Sequence, residues 1–480
     1  MNDPMSATEP TGSATWALAG LALTVLLASL GTSIANIALP TLATAFDASF
    51  SATQWVVIAY LLATTSFIVV AGKLGDILGQ KRLLLVGLLV FAIGSLICGI
   101  APSLWILILG RTVQGIGASF MLALTLALVG EIVPAERTGS AMGLIGTTSA
   151  VGTALGPSLG GFLIGTIGWR SVFLITVPLA LLAVGLTFAA LPNPRTRSRM
   201  TGSTFDLRGA ALLFLVLLTY AISMTLGKHS FGLVNAVLLV LAIIGAVGFV
   251  ALEVRAKAPL IQIASLRDAS LRAGLAMNAI VSTVMMATLV IGPFYLTGAL
   301  GLSPARVGAT MSIGPIMVAL SSVPVGRFVD RTGADRMILM GLGLALVGAL
   351  LLTLVPVSFG VAGFIGSVVV LTIGYASFQT ANNTATLRGI AADQRGVISG
   401  LLNLSRSLGL ITGASLMGAI FAAASGALDV KSAQPEQLAR GLHTTFAVAS
   451  VLIGMALAIA FRFYRLSSQP ELRPAKAGAI

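Results

Sequence analysis

Apolar runs of about 20 residues recur from one end of the chain to the other, the length a helix needs to cross a hydrocarbon core roughly 30 Å thick. Fourteen stand out, at roughly residues 15–39, 52–71, 83–101, 104–129, 140–164, 171–191, 208–226, 231–252, 271–297, 305–325, 337–356, 361–382, 397–422 and 444–464. Lipid offers no partner for bare backbone N–H and C=O groups, so these runs are expected as helices. The fold class that follows is an all-α polytopic membrane protein with 14 transmembrane helices. Residues 1–13 are polar, carry no basic cluster and precede a run long enough to span, so they read as a flexible cytoplasmic tail rather than a cleaved signal. Residues 465–480 read as a second tail. The longest polar stretch on the opposite side, 423–443, is expected to hold a short helix at Gln434–Gln437.

Composition narrows the class. The chain of 480 residues is 57% hydrophobic and 9% charged, against about 25% charged in soluble domains. So few charges cannot cover a water-facing surface, which excludes a soluble multidomain enzyme. A single cysteine, Cys98, excludes a disulfide scaffold and reads as a packing residue. The net charge of +13 would suggest nucleic acid if it were spread evenly, but it is not. With the N-terminus inside, 21 of the 28 Lys and Arg fall in cytoplasmic segments and five (Arg170, Lys228, Arg306, Lys431 and Arg440) fall outside. That bias orients the chain and sets the charge against anionic lipid, with no nucleic-acid partner. The remaining two, Arg111 and Arg406, lie within spans. No metal motif, P-loop, HExxH or nucleophile elbow is present, so no metal, cofactor or enzymatic activity is expected.

The chain also repeats itself. Gly72, Asp76, Gly79 and Arg82 recur at Gly326, Asp330, Gly333 and Arg336, all offset by 254. Gly143, Gly152, Gly156 and Gly161 recur at Gly400, Gly409, Gly413 and Gly418, offset by 257. The expected organisation is therefore two related six-helix halves, 14–191 and 271–464, with two further helices inserted in the linker 192–270. Two related halves around a midplane site is a transporter architecture.

Three motifs carry a resemblance to a known family. Gly72-Lys73-Leu74-Gly75-Asp76-Ile77-Leu78-Gly79-Gln80-Lys81-Arg82 joins spans 2 and 3. Arg111-Thr112-Val113-Gln114-Gly115-Ile116-Gly117 lies in span 4. Gly152-Thr153-Ala154-Leu155-Gly156-Pro157-Ser158-Leu159-Gly160-Gly161 lies in span 5. Together they resemble the major facilitator superfamily, and within it the fourteen-span drug:proton antiporters, over about residues 14–464. The resemblance implies that the Gly72–Arg82 loop and its copy Gly326–Arg336 latch the cytoplasmic gate. It implies that Arg111 acts in proton transfer or substrate binding, and that Gly152, Gly156 and Pro157 belong to a motif associated with export. Arg111 should face the protein interior in any case, because arginine at mid-span costs roughly 2.5–3.5 kcal/mol. An arginine tying together backbone carbonyls of neighbouring spans is the alternative role.

One departure matters. Ile34-Ala35-Asn36-Ile37-Ala38-Leu39-Pro40 fits the family's end of span 1, but Gly31 and Ser33 stand where the family commonly has Asp and Thr. None of the 15 acidic residues lies deep in a span. Coupling then falls to Arg111, to Glu131 or Asp47 at span ends, to the motif residues Asp76 or Asp330, or to no carboxylate at all. Candidate cavity-lining residues are Ser33, Asn36, Tyr60, Thr64, Arg111, Gln114, Asn278, Gln379, Asn382, Asn403 and Arg406, with Met285, Met286, Phe294 and Tyr295 as an apolar wall. A cavity with arginine and no acid favours neutral or anionic amphiphiles over dications. The resemblance implies a monomeric exporter of small organic molecules in the cell membrane, driven by protons, with both termini cytoplasmic. A dedicated metabolite or organic-anion carrier is the alternative.

Overall fold

The computed structural model describes residues 12–132, 138–191, 206–226, 232–256, 268–387, 395–426 and 433–467. The side chains of Asp76 and Glu131 lie outside the described residues, although their backbones fall on helices. All regular structure among the described residues is helical. The helices are α1 (Gly12–Ala45), α2 (Phe50–Leu78), α3 (Gln80–Ile100), α4 (Leu104–Ile132), α5 (Thr138–Thr166), α6 (Ser171–Leu174), α7 (Thr176–Ala190), α8 (Leu207–Thr225), α9 (Leu233–Arg255), α10 (Ala269–Phe294), α11 (Pro304–Thr332), α12 (Ala334–Leu354), α13 (Gly360–Leu387), α14 (Arg395–Thr412), α15 (Gly418–Ser425) and α16 (Pro435–Ser467). The described links at 46–49, 79, 101–103, 167–170, 300–303, 333 and 355–359 are short and reverse the chain, so the rods run up and down, with a terminus end, shared with Gly12 and Ser467, and an opposite end.

Helices occupy all fourteen apolar runs, but fewer meet the requirements for a membrane span. Among the described residues twelve are long and apolar enough, or thirteen if the pair Pro304–Ser321 and Pro324–Thr332, bent by 48°, counts as one. Helix α5 is not among them, because glycine, serine and threonine dilute its apolar content. Helices α6 and α7 form one rod. It breaks at Ile175, where Pro178 supplies no N–H to the Leu174 carbonyl. The short helix expected at Gln434–Gln437 is instead the first turn of α16. Pro435 fits the first helical position, the Gln437 side chain accepts from the Gln434 N–H at 2.8 Å, and Leu438, Ala439 and Leu442 pack inward.

The same pairings occur in two bundles. In α1–α7, α1 packs on α5 and α7, and α3 packs on α4 and α7. In α10–α16, α10 packs on α14 and α16, and α12 packs on α13 and α16. The repeat extends to backbone torsions. Gly79 joins α2 to α3 as a single residue at φ 95° and ψ 125°, and Gly333 joins α11 to α12 at φ 85° and ψ 148°. That region is open to glycine and strained for any other residue. Between the bundles, α8 packs on α2, and α9 reaches the rest of the protein chiefly through α8. Asn235 of α9 ties the pair by donating to the Ser223 carbonyl at 2.7 Å and the Leu226 carbonyl at 2.6 Å. We expect Asn235→Ala to cost about 1–3 kcal/mol through those two orphaned carbonyls. Thermal unfolding of the purified variant checks this.

The bundles touch at the end opposite the termini. There one apolar core runs across both, whereas the terminus-end core of the first bundle (Leu21, Leu84, Met121 and neighbours) is a separate cluster of first-bundle residues alone. Phe50 of α2 stacks edge-on with Phe294 of α10 at 4.7 Å and lies 5.4 Å from the Phe421 ring of α15. On the other flank α5 meets α11 backbone to backbone. A Cβ on Gly161 would lie 2.8 Å from Gly308 Cα, and one on Gly308 would run into the Pro157 carbonyl oxygen. At the terminus end Gly72, Gly326 and Gly333 have open space around them, and Arg82, Asp330 and Arg336 are exposed. The side-chain and backbone contacts just named between the bundles lie at the end opposite the termini.

Candidate functional site

Of the predicted cavity residues of the first bundle, Ser33, Asn36, Tyr60, Arg111 and Gln114 are buried and Thr64 is half-buried. Arg111 is 0% exposed. Its Nε donates to the Val56 carbonyl of α2 at 2.8 Å, its Nη1 donates to Gln114 Oε1, and its guanidinium stacks 4.2 Å from the Tyr60 ring. Gln114 donates onward to Ser95 Oγ of α3 at 2.7 Å, and the Tyr60 hydroxyl donates to the Ala28 carbonyl of α1 at 2.9 Å. One arginine therefore binds four helices. The buried Nη2 has no hydrogen-bond partner.

Gly31 points at this cluster. A Cβ there would lie 3.3 Å from both the Tyr60 hydroxyl oxygen and the Phe91 ring. A carboxylate at this position, which the resemblance implies and this chain lacks, would stand beside the Tyr60 hydroxyl. Ser33 fills the seam against Gly156 and contacts the Gly152 carbonyl at 3.4 Å, so both motif glycines and Pro157 serve close packing of α5 on α1 and α11. Asn36 donates to the Thr32 carbonyl at 3.2 Å within its own helix. Thr64 bonds the Tyr60 carbonyl at 2.8 Å and the Gly115 carbonyl at 3.2 Å.

In the second bundle the candidates divide. Asn278 donates to the Leu402 carbonyl at 2.9 Å and Asn382 to the Gly274 carbonyl at 3.2 Å, and both are buried. They join α10 to α14 and α13. Met286, Phe294 and Tyr295 are buried too, and only Met285 of the expected apolar wall is half-open. Gln379 is half-buried and donates to Asn383 at 3.4 Å. Asn403 and Arg406 on α14 are exposed. The two mid-span arginines thus differ completely: Arg111 is a buried tie and Arg406 is open. Of the coupling candidates, Asp47 sits exposed in the turn after α1 with φ 48°, away from the interior.

Two further ties join helices: Lys81 lies within the signature motif without standing out there, and Gln54 has no sequence signal. Lys81, buried at the start of α3, donates to the Phe188 carbonyl at 3.0 Å and to that of Leu191, so the signature loop caps the C-terminus of α7. Gln54, near the start of α2, is fully buried and crosses between bundles. Its Nε2 donates at 2.8 Å to the Ala414 carbonyl, inside the π-helical turn Gly413–Met417 that separates α14 from α15. A π-helical turn shifts the helix's own hydrogen bonding, and Gln54 reaches into it. A Cβ at 418 would displace the Gln54 amide from this position. Helix α8 braces the same end: Trp55 Nε1 donates to Thr225 Oγ1 at 3.1 Å, and the Tyr220 hydroxyl to Thr412 Oγ1 at 3.1 Å. We expect Gln54→Ala to remove about 1 kcal/mol from the closed end. The open population at that end should rise roughly fivefold by the same free-energy relation, read by spin-label distances between Thr44 and Glu436.

The comparisons agree with this architecture. The model of the Major Facilitator Superfamily matches residues 21–414 and 277–479. The multidrug resistance protein Stp of Mycobacterium tuberculosis (strain CDC 1551 / Oshkosh) is 31% identical over 405 residues, covering 81% of this chain and 72% of that protein. The riboflavin transporter RibZ of Clostridioides difficile (strain 630) is 29% identical over 398 residues, covering 83% and 86%. Among solved structures, a bacterial homologue of the human lysosomal transporter Spinster, inward-facing and unoccupied, superposes with a TM-score of 0.70 at 15% identity, covering 95% of this chain and 98% of that one.

Proposed function

The chain belongs to the Major Facilitator Superfamily, and from that premise we propose that this multi-pass membrane transporter exports small amphipathic organic molecules by alternating access, coupled to proton entry. The observation that carries the reading is the repeat: two bundles with matched pairings that meet through Phe50, Gln54, Gly161 and Gly308 at the end opposite the termini. Rocking the bundles about the cleft between them exposes a site to each side in turn.

The fine points belong to the same proposal. Fourteen spans cross the bilayer, with halves 14–191 and 271–464 rocking on either side of the inserted 192–270. The 21-to-5 bias of basic residues puts both termini in the cytoplasm, so the end where the bundles meet is the outward one. The protein works as a monomer. Export is supported by the Gly152–Pro157 seam and by the likeness to Stp, whose name is multidrug resistance protein. Arg111 and its free Nη2 are the proposed proton-sensitive element, because no carboxylate lies deep in a span. A dedicated carrier is the second reading, favoured by the likeness to a riboflavin transporter.

Everted membrane vesicles test both. With an imposed proton gradient, a panel of cationic, neutral and anionic fluorescent amphiphiles should include members that accumulate, and a protonophore should abolish the accumulation. Vesicles lacking the protein should show neither effect. Accumulation indifferent to the protonophore would refute proton coupling. Failure of every probe in vesicles holding folded protein would refute export of amphiphiles in favour of the dedicated carrier.

A further inference from the structure

We propose that Arg406 makes the cleft selective for organic anions, an inference that names the substrate class of the transport site proposed above. The argument begins with depth. Arg406 is eleven residues into α14, counted from Arg395, or about 16 Å at 1.5 Å per residue. That is near mid-rod, because the rod continues through the π-helical turn to Ser425. An arginine side chain cannot reach the surface from there, so its exposed guanidinium needs water or protein around it.

Direction comes next. One side of α14 is spent on α10: Ser405 donates to the Leu275 carbonyl, Asn278 donates to the Leu402 carbonyl, and Gly409 and Gly413 lie against Ala279 and Thr283. Another side meets α8 through Thr412. The arc between the α10 seam and the face that Gln54 of α2 meets at Ala414 and Gly418 carries Asn403, Arg406 and Ser407, at helical spacing. At the closed end that arc is covered by the first bundle. Lower down the same arc is open at Asn403 and Arg406, which are exposed, and half-open at Ser407. Arg406 therefore faces the cleft rather than lipid.

Charge decides the class. Every one of the 15 acidic residues lies near a rod end or in a connecting or terminal segment, and among the described residues no carboxylate pairs with Arg406. Arg111, the other deep cation, is sealed behind Tyr60 and Gln114. Among the described residues Arg406 is thus the accessible positive charge deep in a rod, held between low-dielectric walls. Such a setting concentrates anions and repels cations. Guanidinium forks suit carboxylates, sulfonates and phenolates on an amphipathic body.

The test places a thiol beside the charge. Asn403→Cys is reacted with two methanethiosulfonates of similar size, the anionic sulfonatoethyl and the cationic trimethylammonioethyl reagent, in purified full-length protein. Rates are normalised to those of a free thiol. The native Cys98 is fully buried and should stay silent. The anionic reagent should be favoured. Adding Arg406→Gln should lower the anion-to-cation rate ratio about tenfold, the scale of one charge acting across a few ångströms at intermediate dielectric. Arg406→Lys should keep the ratio. An unreactive position 403 in folded protein would overturn the proposal, because the arc would then not face water. So would a ratio that shows no anion preference, or one that survives Arg406→Gln. The readout needs no transport. Failed efflux with an intact charge ratio would refute export while leaving the anion-selective cleft standing.

Discussion

Gly308→Val should yield a folded protein that can no longer close its outer end. The substitution sets a side chain against the Pro157 carbonyl, with Gly161 Cα just beyond at 2.9 Å. Both obstacles are backbone, so neither can turn aside as a side chain would. To reach ordinary contact, α5 and α11 must separate by about 1 Å at closest approach, and a packed seam of that kind does not stretch without losing its contacts. The outward-open state does not need this contact, so the cost falls on one conformation. We expect spin-label distances between Thr44 and Glu436 to collapse to the longer population. Substrate translocation should fall by about a hundredfold or more, since a shift of about 2.7 kcal/mol suffices for that. Gly343→Val is the control, because a Cβ there meets nothing within 4 Å. Wild-type outer-end distances in Gly308→Val would refute the proposed closure.

Arg111→Ala should destabilise the first bundle by about 1–3 kcal/mol, the cost of a buried acceptor left without its donor. It removes the second donor to the Val56 carbonyl, leaves Gln114 Oε1 without its Arg111 donor, removes the stacking partner of Tyr60, and opens a void beside α2 and α4. Arg111→Lys should recover little, because one ammonium cannot reach the carbonyl and the amide together while covering the ring. The double change Arg111→Met with Gln114→Leu separates structure from chemistry. It deletes the charge and its orphaned acceptor together, so thermal stability should return to within about 1–2 kcal/mol of wild type. If the free Nη2 serves proton coupling, the gradient dependence of transport stays lost in this stable protein. Full recovery of coupled transport would reduce Arg111 to a tie between helices.

Much of the fold was legible because membrane spans depend on hydropathy and length alone. All fourteen apolar runs became helical, and the offset repeat became matched pairings and matched torsions at Gly79 and Gly333. Hydropathy marks α5 least well as a span, since glycine, serine and threonine dilute its apolar content and serve its close packing. The site was less legible. Polar residues at mid-span all look alike in sequence, yet Ser33, Tyr60, Arg111, Asn278 and Asn382 spend their groups on neighbouring carbonyls, whereas Asn403 and Arg406 do not. One pattern could have separated them: Asn403, Arg406 and Ser407 share an arc, and the opposite face of α14 is apolar or small. Gln54 had no comparable signal, because its partner is a backbone carbonyl in a π-helical turn 360 residues away.

The single-residue links at Gly79 and Gly333 have a mechanical consequence. A connector one residue long has no slack, so α2 cannot swing without dragging α3, nor α11 without α12. The outer faces of α3 and α12, with Ile93, Leu96 and Met340 exposed, are in turn the ones the bilayer grips. Each glycine thus turns a gate helix and a lipid-facing helix into one rigid lever. Work done at the gate is felt at the lipid boundary, and bilayer thickness becomes a load on the transport cycle. Splicing a few flexible residues after Gly79 would cut that linkage, leaving the helices folded and the stroke shortened.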